Sequence, residues 1–314
     1  MAGRIAVTGA TGFIGRHIAE RLRDEGWTVV AIVRPGSSKP LPDGVDRVVA
    51  SLDRAAIVER CRNVDAIVHA AGIVRARSAA EYTAVNVGGT RAVVEAARAL
   101  DARVVHLSSL TTVGPAPLER PCREGDPCTP ITDYGVSKLE AETVLRAAIG
   151  VRWTILRPAA VYGPRDRQFL PLFQTARRGI FPRLPNGGVF FLTLVHVADV
   201  ARAVAAVCSS TVADGETFFV GHGVPASIDD ILRTLASTFN RAYHPIPVPF
   251  ALVRLGAWLG VAGLSGERLR EMHSVGFVCS VEGAERRLKF RATIDLTDGF
   301  ESTAAWYRAQ GWLR

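Results

Sequence analysis

Residues 7–15 read Val-Thr-Gly-Ala-Thr-Gly-Phe-Ile-Gly, and this stretch decides the fold. The apolar run Ile5-Ala6-Val7 predicts a buried strand that leads into it, and the amphipathic pattern that follows predicts a helix. Gly9 permits a tight turn between the two, Gly12 lets the backbone approach a diphosphate, and Gly15 allows the helix to pack closely on the strand. Because a strand precedes the glycines and a helix follows them, the stretch predicts a dinucleotide-binding site.

The same alternation of strand and helix continues through the first half of the chain. Runs of β-branched residues predict strands, and apolar residues that recur at three and four predict helices. The predicted strands are Arg4 to Thr8, Thr28 to Val33, Arg47 to Ala50, Ala66 to His69, Arg103 to Leu107, Trp153 to Leu156 and Glu216 to Val220. The predicted helices are Gly12 to Glu25, Arg54 to Cys61, Ala80 to Leu100, Tyr134 to Ala148 and Val197 to Cys208. We therefore expect an α/β fold with a doubly wound parallel Rossmann sheet.

The alternation breaks after Gly163, where four prolines fall between residues 164 and 185. Residues 222–314 read as mainly helical, with no strand rhythm of their own. A substrate cleft should lie at the carboxyl ends of the strands, where open α/β sheets bind ligands. We expect a dinucleotide-binding domain of residues 1–163 plus about 190–221, and a smaller, mainly helical substrate-binding cap of residues 164–189 plus 222–314.

The cap contains one long apolar stretch, from Ile246 to Leu264. Pro247, Pro249, Arg254 and several glycines interrupt it, so it does not predict a membrane-spanning segment. We interpret it as a cap helix that lines an apolar substrate pocket. Contact with a membrane interface is the alternative.

The composition indicates a globular enzyme-sized protein of 314 residues, 48% of them hydrophobic and 22% charged. The net charge is +8, but the arginines are scattered through helical segments rather than gathered in a basic patch, so we expect no nucleic-acid partner. Five cysteines without a CxxC spacing predict reduced thiols, a cytoplasmic location and no metal site. We interpret Cys122 and Cys128 as incidental loop thiols, with a redox-sensitive lid as the alternative.

The second strand ends in Arg34, where an NAD site usually places an acid that binds the ribose 2′-hydroxyl. A guanidinium matches a phosphate far better than a hydroxyl, so Arg34 favours NADP(H), with NAD(H) as the alternative. Arg16, directly after the glycine stretch, is a candidate second contact. The competing interpretation is that both are solvated surface arginines.

Tyr134 and Lys138 are four residues apart on a predicted helix and therefore share one face. A nearby ammonium favours the phenolate, so Lys138 is expected to bring the pKa of Tyr134 toward a useful range while it holds the nicotinamide ribose. Ser109 follows the fifth strand, where its hydroxyl is placed to orient the reacting oxygen of a substrate. Together these residues indicate proton exchange with a hydroxyl or carbonyl while the nicotinamide exchanges a hydride.

These residues resemble those of the extended short-chain dehydrogenase/reductase, or NAD-dependent epimerase/dehydratase, family, and the resemblance covers the whole chain. The matching stretches are Thr8 to Gly15, His69-Ala70-Ala71-Gly72, Asn86 to Thr90, Ser108 to Gly114 with Tyr134 to Lys138, Leu156 to Pro158 with Tyr162 to Pro164, and His196 to Val200. The resemblance implies that Tyr134 is the acid/base, that Lys138 anchors the ribose and that Ser109 binds the substrate oxygen. His196 and Asp199 are interpreted as structural, and His69 as a strand-end histidine with a local partner.

The resemblance also implies which residues contact the cofactor. With the glycine stretch included, these are Gly9, Thr11, Gly12, Phe13, Ile14, Gly15, Arg34, Leu52, Ala70, Ala71, Gly72, Asn86, Tyr134, Lys138, Pro158 and Val161. The sequence also leads us to expect a homodimer.

Three functions fit the sequence. The first is an NADP(H)-dependent oxidoreductase that interconverts a secondary alcohol and a ketone on a small, apolar substrate. The second is a nucleotide-diphosphate-sugar epimerase with the same Tyr134 and Lys138, for which arginines such as Arg165 and Arg183 would hold the diphosphate. A dehydratase would need acids beside Ser109, where Leu110 and Thr111 stand. The third is a non-catalytic dinucleotide-binding subunit, which the intact Ser109, Tyr134 and Lys138 disfavour.

Overall fold

The computed structural model of the chain describes residues 3–183, 190–258 and 266–313. The strands in these ranges are β1 (Arg4–Thr8), β2 (Thr28–Val33), β3 (Asp46–Val49), β4 (Ala66–His69), β5 (Arg103–Leu107), β6 (Trp153–Pro158), β7 (Ala160–Tyr162), β8 (Phe181–Arg183), β9 (Phe191–Leu192), β10 (Leu194–His196), β11 (Glu216–Val220), β12 (Ala226–Ser227), β13 (Pro245–Pro247) and β14 (Gly276–Phe277). The α-helices are α1 (Phe13–Asp24), α2 (Arg54–Arg60), α3 (Ala79–Tyr82), α4 (Gly88–Leu100), α5 (Asp133–Arg146), α6 (Leu170–Arg177), α7 (Val197–Cys208), α8 (Ile228–Thr238), α9 (Phe250–Trp258), α10 (Gly266–Met272), α11 (Glu282–Arg287) and α12 (Leu296–Ala309).

Seven of the strands form one parallel sheet in the order β11-β6-β5-β4-β1-β2-β3. The chain runs outward from β1 to β3 and then returns to β4 on the other side of β1. Thr8 pairs with His69, and His69 pairs with His106, so the carboxyl ends of β1, β4 and β5 lie side by side. The reversal between β1 and β4 opens a crevice at this edge. The predicted doubly wound parallel sheet is confirmed.

Both faces of the sheet are covered by apolar helices. On one face α1 and α7 bury Ile18, Leu22, Val200 and Val204 against the sheet. On the other face, α2 and α4 bury a second apolar cluster that includes Ile57, Ile67, Val93 and Val94. Each such side chain contributes about 1.5–3 kcal/mol when fully buried, so the two layers hold the carboxyl edge of the sheet rigid.

The predicted helix from Ala80 to Leu100 is wrong in one respect. A π-helical turn, Thr83–Val87, separates α3 from α4, so the helix is not continuous. The wider turn contains the buried Asn86. Such turns often occur at functional sites.

The remaining elements pack around an aromatic cluster of Tyr162, Phe173, Phe300 and Tyr307. Short strands join distant parts of the chain here, since β9 pairs with both β12 and β14, and β13 pairs with β8. The region after residue 222 is mainly helical, as expected, and these short strands are an addition that the sequence did not predict. Strands of two or three residues are too short to show an alternating pattern in sequence.

The apolar stretch from Ile246 to Leu264 forms β13 and α9 as far as residue 258, and its remainder lies outside the described residues. The domain boundary expected at residue 189 also lies outside them. No helix in the part of the chain that the structure describes is both long and apolar enough to cross a bilayer.

Candidate active site

The glycine stretch forms the tight turn between β1 and α1. Gly9 has a φ of +75°, and its carbonyl oxygen accepts a hydrogen bond from Gly12 N at 2.8 Å. A Cβ on Gly9 would lie 2.7 Å from the carbonyl oxygen of Ala70, and one on Gly15 would lie 2.2 Å from Gly9 O. Neither position accommodates a side chain, so the turn keeps its backbone open to a ligand.

The amino end of α1 faces the crevice beside this turn. Gly12 is the N-cap residue, no side chain caps the helix, and its first turn contains no acidic residue. Thr11, Phe13 and Ile14 are half-buried around it, whereas Gly12 is exposed. The first N–H groups of a helix and its positive end bind anions, so these residues fit the diphosphate of a dinucleotide.

Arg34 extends from the carboxyl end of β2 into solvent, and within the described residues its guanidinium makes no hydrogen bond or ion pair. Arg16 is engaged elsewhere. Its Nε contacts Glu20 Oε1 at 2.9 Å, and its Nη1 donates to the carbonyl oxygen of Pro40 at 2.8 Å. In the structure Arg16 therefore holds the loop after β2, and its contact with a phosphate stays a prediction.

The loop after β4 is fixed to β1 by Thr8. Its Oγ1 lies 2.8 Å from His69 Nδ1 and accepts a hydrogen bond from Ala71 N at 3.1 Å. Ala70 and Ala71 are thereby held against Gly9. The prediction of a local partner for His69 is confirmed.

Asn86 fixes the next part of the same loop from the π-helical turn. Its Oδ1 accepts from Ile73 N at 2.9 Å, and its Nδ2 donates to Ile73 O at 3.1 Å and to Ser137 Oγ at 2.9 Å. Gly72 approaches so closely that a Cβ there would lie 3.0 Å from Asn86 Oδ1. Because both amide protons are already donated, Asn86 ties the loop to α5.

Three other predicted cofactor residues lie around the crevice. Leu52 follows β3 and packs closely on Gly89. A Cβ built on Gly89 would lie 2.7 Å from Leu52 Cδ2. Pro158 ends β6, and Val161 lies in β7 opposite Val195 of β10. Leu52 and Pro158 lie near the carboxyl ends of two strands of the seven-stranded sheet, whereas Val161 lies in the separate pair of β7 and β10.

Tyr134 and Ser109 come together at this edge. Tyr134 is the second residue of α5 and is partly exposed, and Ser109 is close enough to act on the pKa of its phenol. Ser109 Oγ accepts hydrogen bonds from Thr111 Oγ1 at 2.9 Å and from Thr111 N at 3.2 Å. The two hydroxyls are therefore neighbours at the edge of the sheet where a substrate oxygen would bind.

The surroundings of Tyr134 correct one expectation. Burial raises the pKa of Tyr134 to about 12, the Ser109 hydroxyl opposes this rise, and Tyr82 and Glu271 add to it. Lys138 was expected to lower the pKa of Tyr134, but desolvation determines the net direction in the protein without its ligands.

Lys138 lies one turn further along α5 and is 5% exposed. Its Nζ donates to the carbonyl oxygen of Leu107 at 2.6 Å. Burial lowers the pKa of Lys138 to about 8, and the charge of Glu142 opposes this effect. The ammonium is therefore held at the carboxyl end of β5, where Ser109 follows the strand.

A buried ion pair supports these residues from behind, and the sequence reasoning missed it. Glu142 is fully buried and binds Arg157, with distances of 2.9 Å from Nε to Oε1 and 2.7 Å from Nη2 to Oε2. Ser108 Oγ donates to Glu142 Oε1 at 2.5 Å. One sequence pattern could have predicted this role for Glu142. It lies four residues after Lys138, as Lys138 lies four after Tyr134, so the three share one helix face.

Two histidines, His69 and His106, lie next to each other close to Lys138, and the sequence did not predict this pairing. The rings of His69 and His106 lie 5.4 Å apart, and both are almost completely buried. Burial and the charge of Lys138 lower the pKa of both, that of His69 to about 3. Both are therefore neutral at neutral pH, and they add no charge below the site.

His196 and Asp199 have the structural roles that the sequence indicates. His196 Nδ1 accepts from Ala198 N at 3.3 Å at the start of α7. The buried Asp199 Oδ2 accepts from the backbone N–H groups of Thr293 and Ile294 at 3.1 and 3.0 Å. Asp199 thus ties the C-terminal part of the chain to α7.

Helix α10 covers the amino end of α5. Glu267 Oε1 accepts from Asp133 N at 2.5 Å, and its Oε2 accepts from the Tyr82 hydroxyl at 3.4 Å. The Tyr82 ring lies 6.0 Å from that of Tyr134. Glu267 thus contacts both α5 and Tyr82, and the charge of Glu271 acts on Tyr134.

The five cysteines all have free thiols. In the described parts of the chain, no group of three or more His, Cys, Asp or Glu side chains is placed to hold a metal ion.

The chain is similar to known enzymes of two kinds. It is 30% identical over 336 residues to a ceramide reductase of Caulobacter vibrioides, covering 99% of this chain and 96% of the relative. It is 30% identical over 286 residues to a UDP-glucose 4-epimerase of Azospirillum brasilense, covering 81% of each. Among solved structures, the UDP-glucose 4-epimerase of Thermotoga maritima superposes with a TM-score of 0.80 at 22% identity, covering 98% of this chain and 99% of that one.

A family model agrees with these similarities. The model of the NAD dependent epimerase/dehydratase family matches residues 5–221. The match spans the strands from β1 to β11, including the glycine turn and the stretch from Ser109 to Lys138. The chain belongs to this family of NAD(P)-dependent epimerases, dehydratases and reductases.

Proposed function

We propose that the protein is an NADP(H)-dependent oxidoreductase that interconverts a secondary alcohol and a ketone on an apolar substrate. The observation that carries the proposal is the placement of Tyr134, Ser109 and the buried Lys138 ammonium together at the carboxyl end of β5. Residues 1–163 and about 190–221 bind the dinucleotide, and the remainder forms the substrate-binding cap. The nicotinamide supplies or accepts the hydride when it is bound.

In the reductive direction, Tyr134 donates its phenolic proton to the carbonyl oxygen of the substrate. Ser109 holds that oxygen by a hydrogen bond and so orients the carbonyl carbon toward the crevice. The Lys138 ammonium stabilises the phenolate that remains and binds the ribose. The oxidative direction reverses the transfer, with the phenolate accepting the proton of the alcohol.

Arg34 supports the choice of NADP(H), because its guanidinium is exposed at the strand end where the ribose 2′-phosphate would lie. The similarity to a ceramide reductase over nearly the whole chain supports an apolar, lipid-like substrate. Leu110 and Thr111 beside Ser109 provide no carboxylate for a dehydration.

The second candidate is a nucleotide-diphosphate-sugar epimerase, which the similarity to UDP-glucose 4-epimerases favours. The arginines that would hold a diphosphate are largely engaged. Arg165 lies over the ring of Trp306, Arg167 lies over that of Trp312, and Arg183 Nε is 2.6 Å from Asp229 Oδ1. These contacts make the oxidoreductase the better supported of the two.

The cofactor assignment predicts tighter binding of NADPH than of NADH. Replacement of Arg34 by alanine should weaken NADPH binding about tenfold or more while leaving NADH binding unchanged, because a charge-assisted contact with a phosphate contributes about 1.5–3 kcal/mol. Titration of cofactor fluorescence measures both affinities. Arg98→Ala, an exposed arginine in the last turn of α4, is the matched control. Equal affinities in the wild type, or no effect of Arg34→Ala, would refute the assignment.

The homodimer and the cytoplasmic location stay predictions of the sequence. Sedimentation velocity of the purified chain would test the first, and fractionation of cells that express it would test the second.

A further inference from the structure

An exposed apolar surface lies on the cap, apart from Tyr134 and Lys138. It consists of Ile180, Ile246, Pro247, Pro249 and Leu252, which we call the apolar cap surface. Ile180, Ile246 and Leu252 are 43, 50 and 58% exposed, and the two prolines are exposed as well. Single exposed apolar residues are ordinary, whereas a contiguous group of them indicates a binding surface.

Backbone pairing holds the segments that carry this group next to one another. Strand β13 pairs in parallel with β8, and Val248 N donates to the carbonyl oxygen of Arg183 at 2.9 Å. Pro249 O accepts from Leu252 N at 2.9 Å and so fixes the first turn of α9. The apolar side chains therefore stand on a fixed backbone.

Basic residues border this surface, and acidic residues are missing from the segments that form it. Arg178, Arg241, His244 and Arg254 are exposed, and Arg241 Nε donates to the carbonyl oxygen of Arg177 at 3.2 Å. Residues 170–183 and 239–258 contain no Asp or Glu. Asp229, which contacts β8, is paired with Arg183 and so leaves the border with a positive charge. An apolar patch with a mainly basic border matches the acyl chains and the anionic head groups of a lipid bilayer.

We propose that the apolar cap surface docks on an anionic phospholipid membrane. The charge disfavours a second copy of this chain as the occupant, because a two-fold interface would place the same arginines against one another. The protein would lie on the bilayer and not span it. Ile246 and Leu252 would enter the interface, and Arg178 and Arg254 would lie among the phosphates.

The same part of the cap is connected to the entrance of the active site. The Phe250 ring of α9 stacks on His273, which follows α10, with ring centroids 3.8 Å apart. Helix α10 in turn contacts α5 and Tyr82 through Glu267. Docking would therefore bring the Tyr134 site close to the bilayer. The proposal of membrane binding does not depend on which reaction that site performs.

Vesicle flotation of the full chain tests the proposal. The wild type should float with vesicles of phosphatidylglycerol and phosphatidylethanolamine, should float much less with phosphatidylcholine alone, and should be released by high salt. Leu252→Glu and Ile246→Glu should each lower the bound fraction about tenfold, and Arg254→Glu about fivefold or more.

The controls are Ile149→Glu, at a residue 89% exposed near the amino end of β6, and Arg98→Glu on α4. Both should float like the wild type, and unchanged melting temperatures establish that all variants are folded. Absence of flotation with anionic vesicles, equal flotation with phosphatidylcholine, or normal flotation of Leu252→Glu would each overturn the proposal. Self-association that Leu252→Glu abolishes would also overturn it, because the occupant would then be a second copy.

Discussion

At the scale of single residues, the site depends on how burial and charge act on Tyr134 and Lys138. Burial raises the pKa of Tyr134 and lowers that of Lys138, so each pKa moves in the direction that favours the neutral side chain. The sequence predicted both residues and their shared helix face. It did not predict the dominance of desolvation, because the packing that removes water from α5 involves residues far apart in the chain.

The pKa of Lys138 predicts a pH dependence of cofactor binding. The ammonium is charged below about pH 8 and loses its proton as the pH rises through that value, so the affinity for NADP(H) should fall there. Lys138→Arg keeps its charge, and its affinity should not change over this range. Fluorescence titrations from pH 6 to 9.5 give the comparison. A wild-type affinity that is flat through pH 8 would contradict this role for Lys138.

At the scale of elements, helix α5 presents Tyr134, Lys138 and Glu142 on one face, and the pair of Glu142 with Arg157 fixes that face against β6. The elements of the sheet were predicted to within two residues, because buried strands and amphipathic helices carry strong periodic signals. The π-helical turn at Asn86 was not predicted. Its extra width is stabilised by hydrogen bonds to Ile73 and Ser137, which are contacts that no local pattern reveals.

The buried ion pair predicts a large and asymmetric effect on stability. Glu142→Gln should lower the free energy of unfolding by about 3–5 kcal/mol, because it leaves the Arg157 guanidinium buried without a countercharge. The double variant Glu142→Leu with Arg157→Met should recover much of that loss, since neither member of the pair then leaves an unpaired charge. Urea denaturation measures both. Equal losses in the single and the double variant would show that the charge is not the cause.

At the scale of the whole molecule, one edge of the sheet collects residues from five strand ends, which is why a site spread over the sequence was predictable. Parallel strands place their carboxyl ends together, so Gly9, Arg34, Ala71, Ser109 and Pro158 meet there. The cap was less predictable. Its short strands join segments far apart in the chain, such as Gly276 with Phe191, and the contact of Glu267 with Asp133 spans 134 residues. Local patterns carry no signal for such pairs.

Deuteride transfer in the Tyr134→Phe variant tests the central claim most directly. The account predicts that the wild-type protein moves deuterium from 4-deuterated NADPH to the carbonyl carbon of an added ketone-bearing lipid and releases NADP⁺ in equal amount. Tyr134→Phe should bind NADPH with the affinity of the wild type. Its rate of deuteride transfer should be no more than about one thousandth of the wild-type rate, because the proton donor is missing. Transfer by Tyr134→Phe at the wild-type rate would contradict the account, as would a wild type that epimerises UDP-glucose without net loss of NADPH.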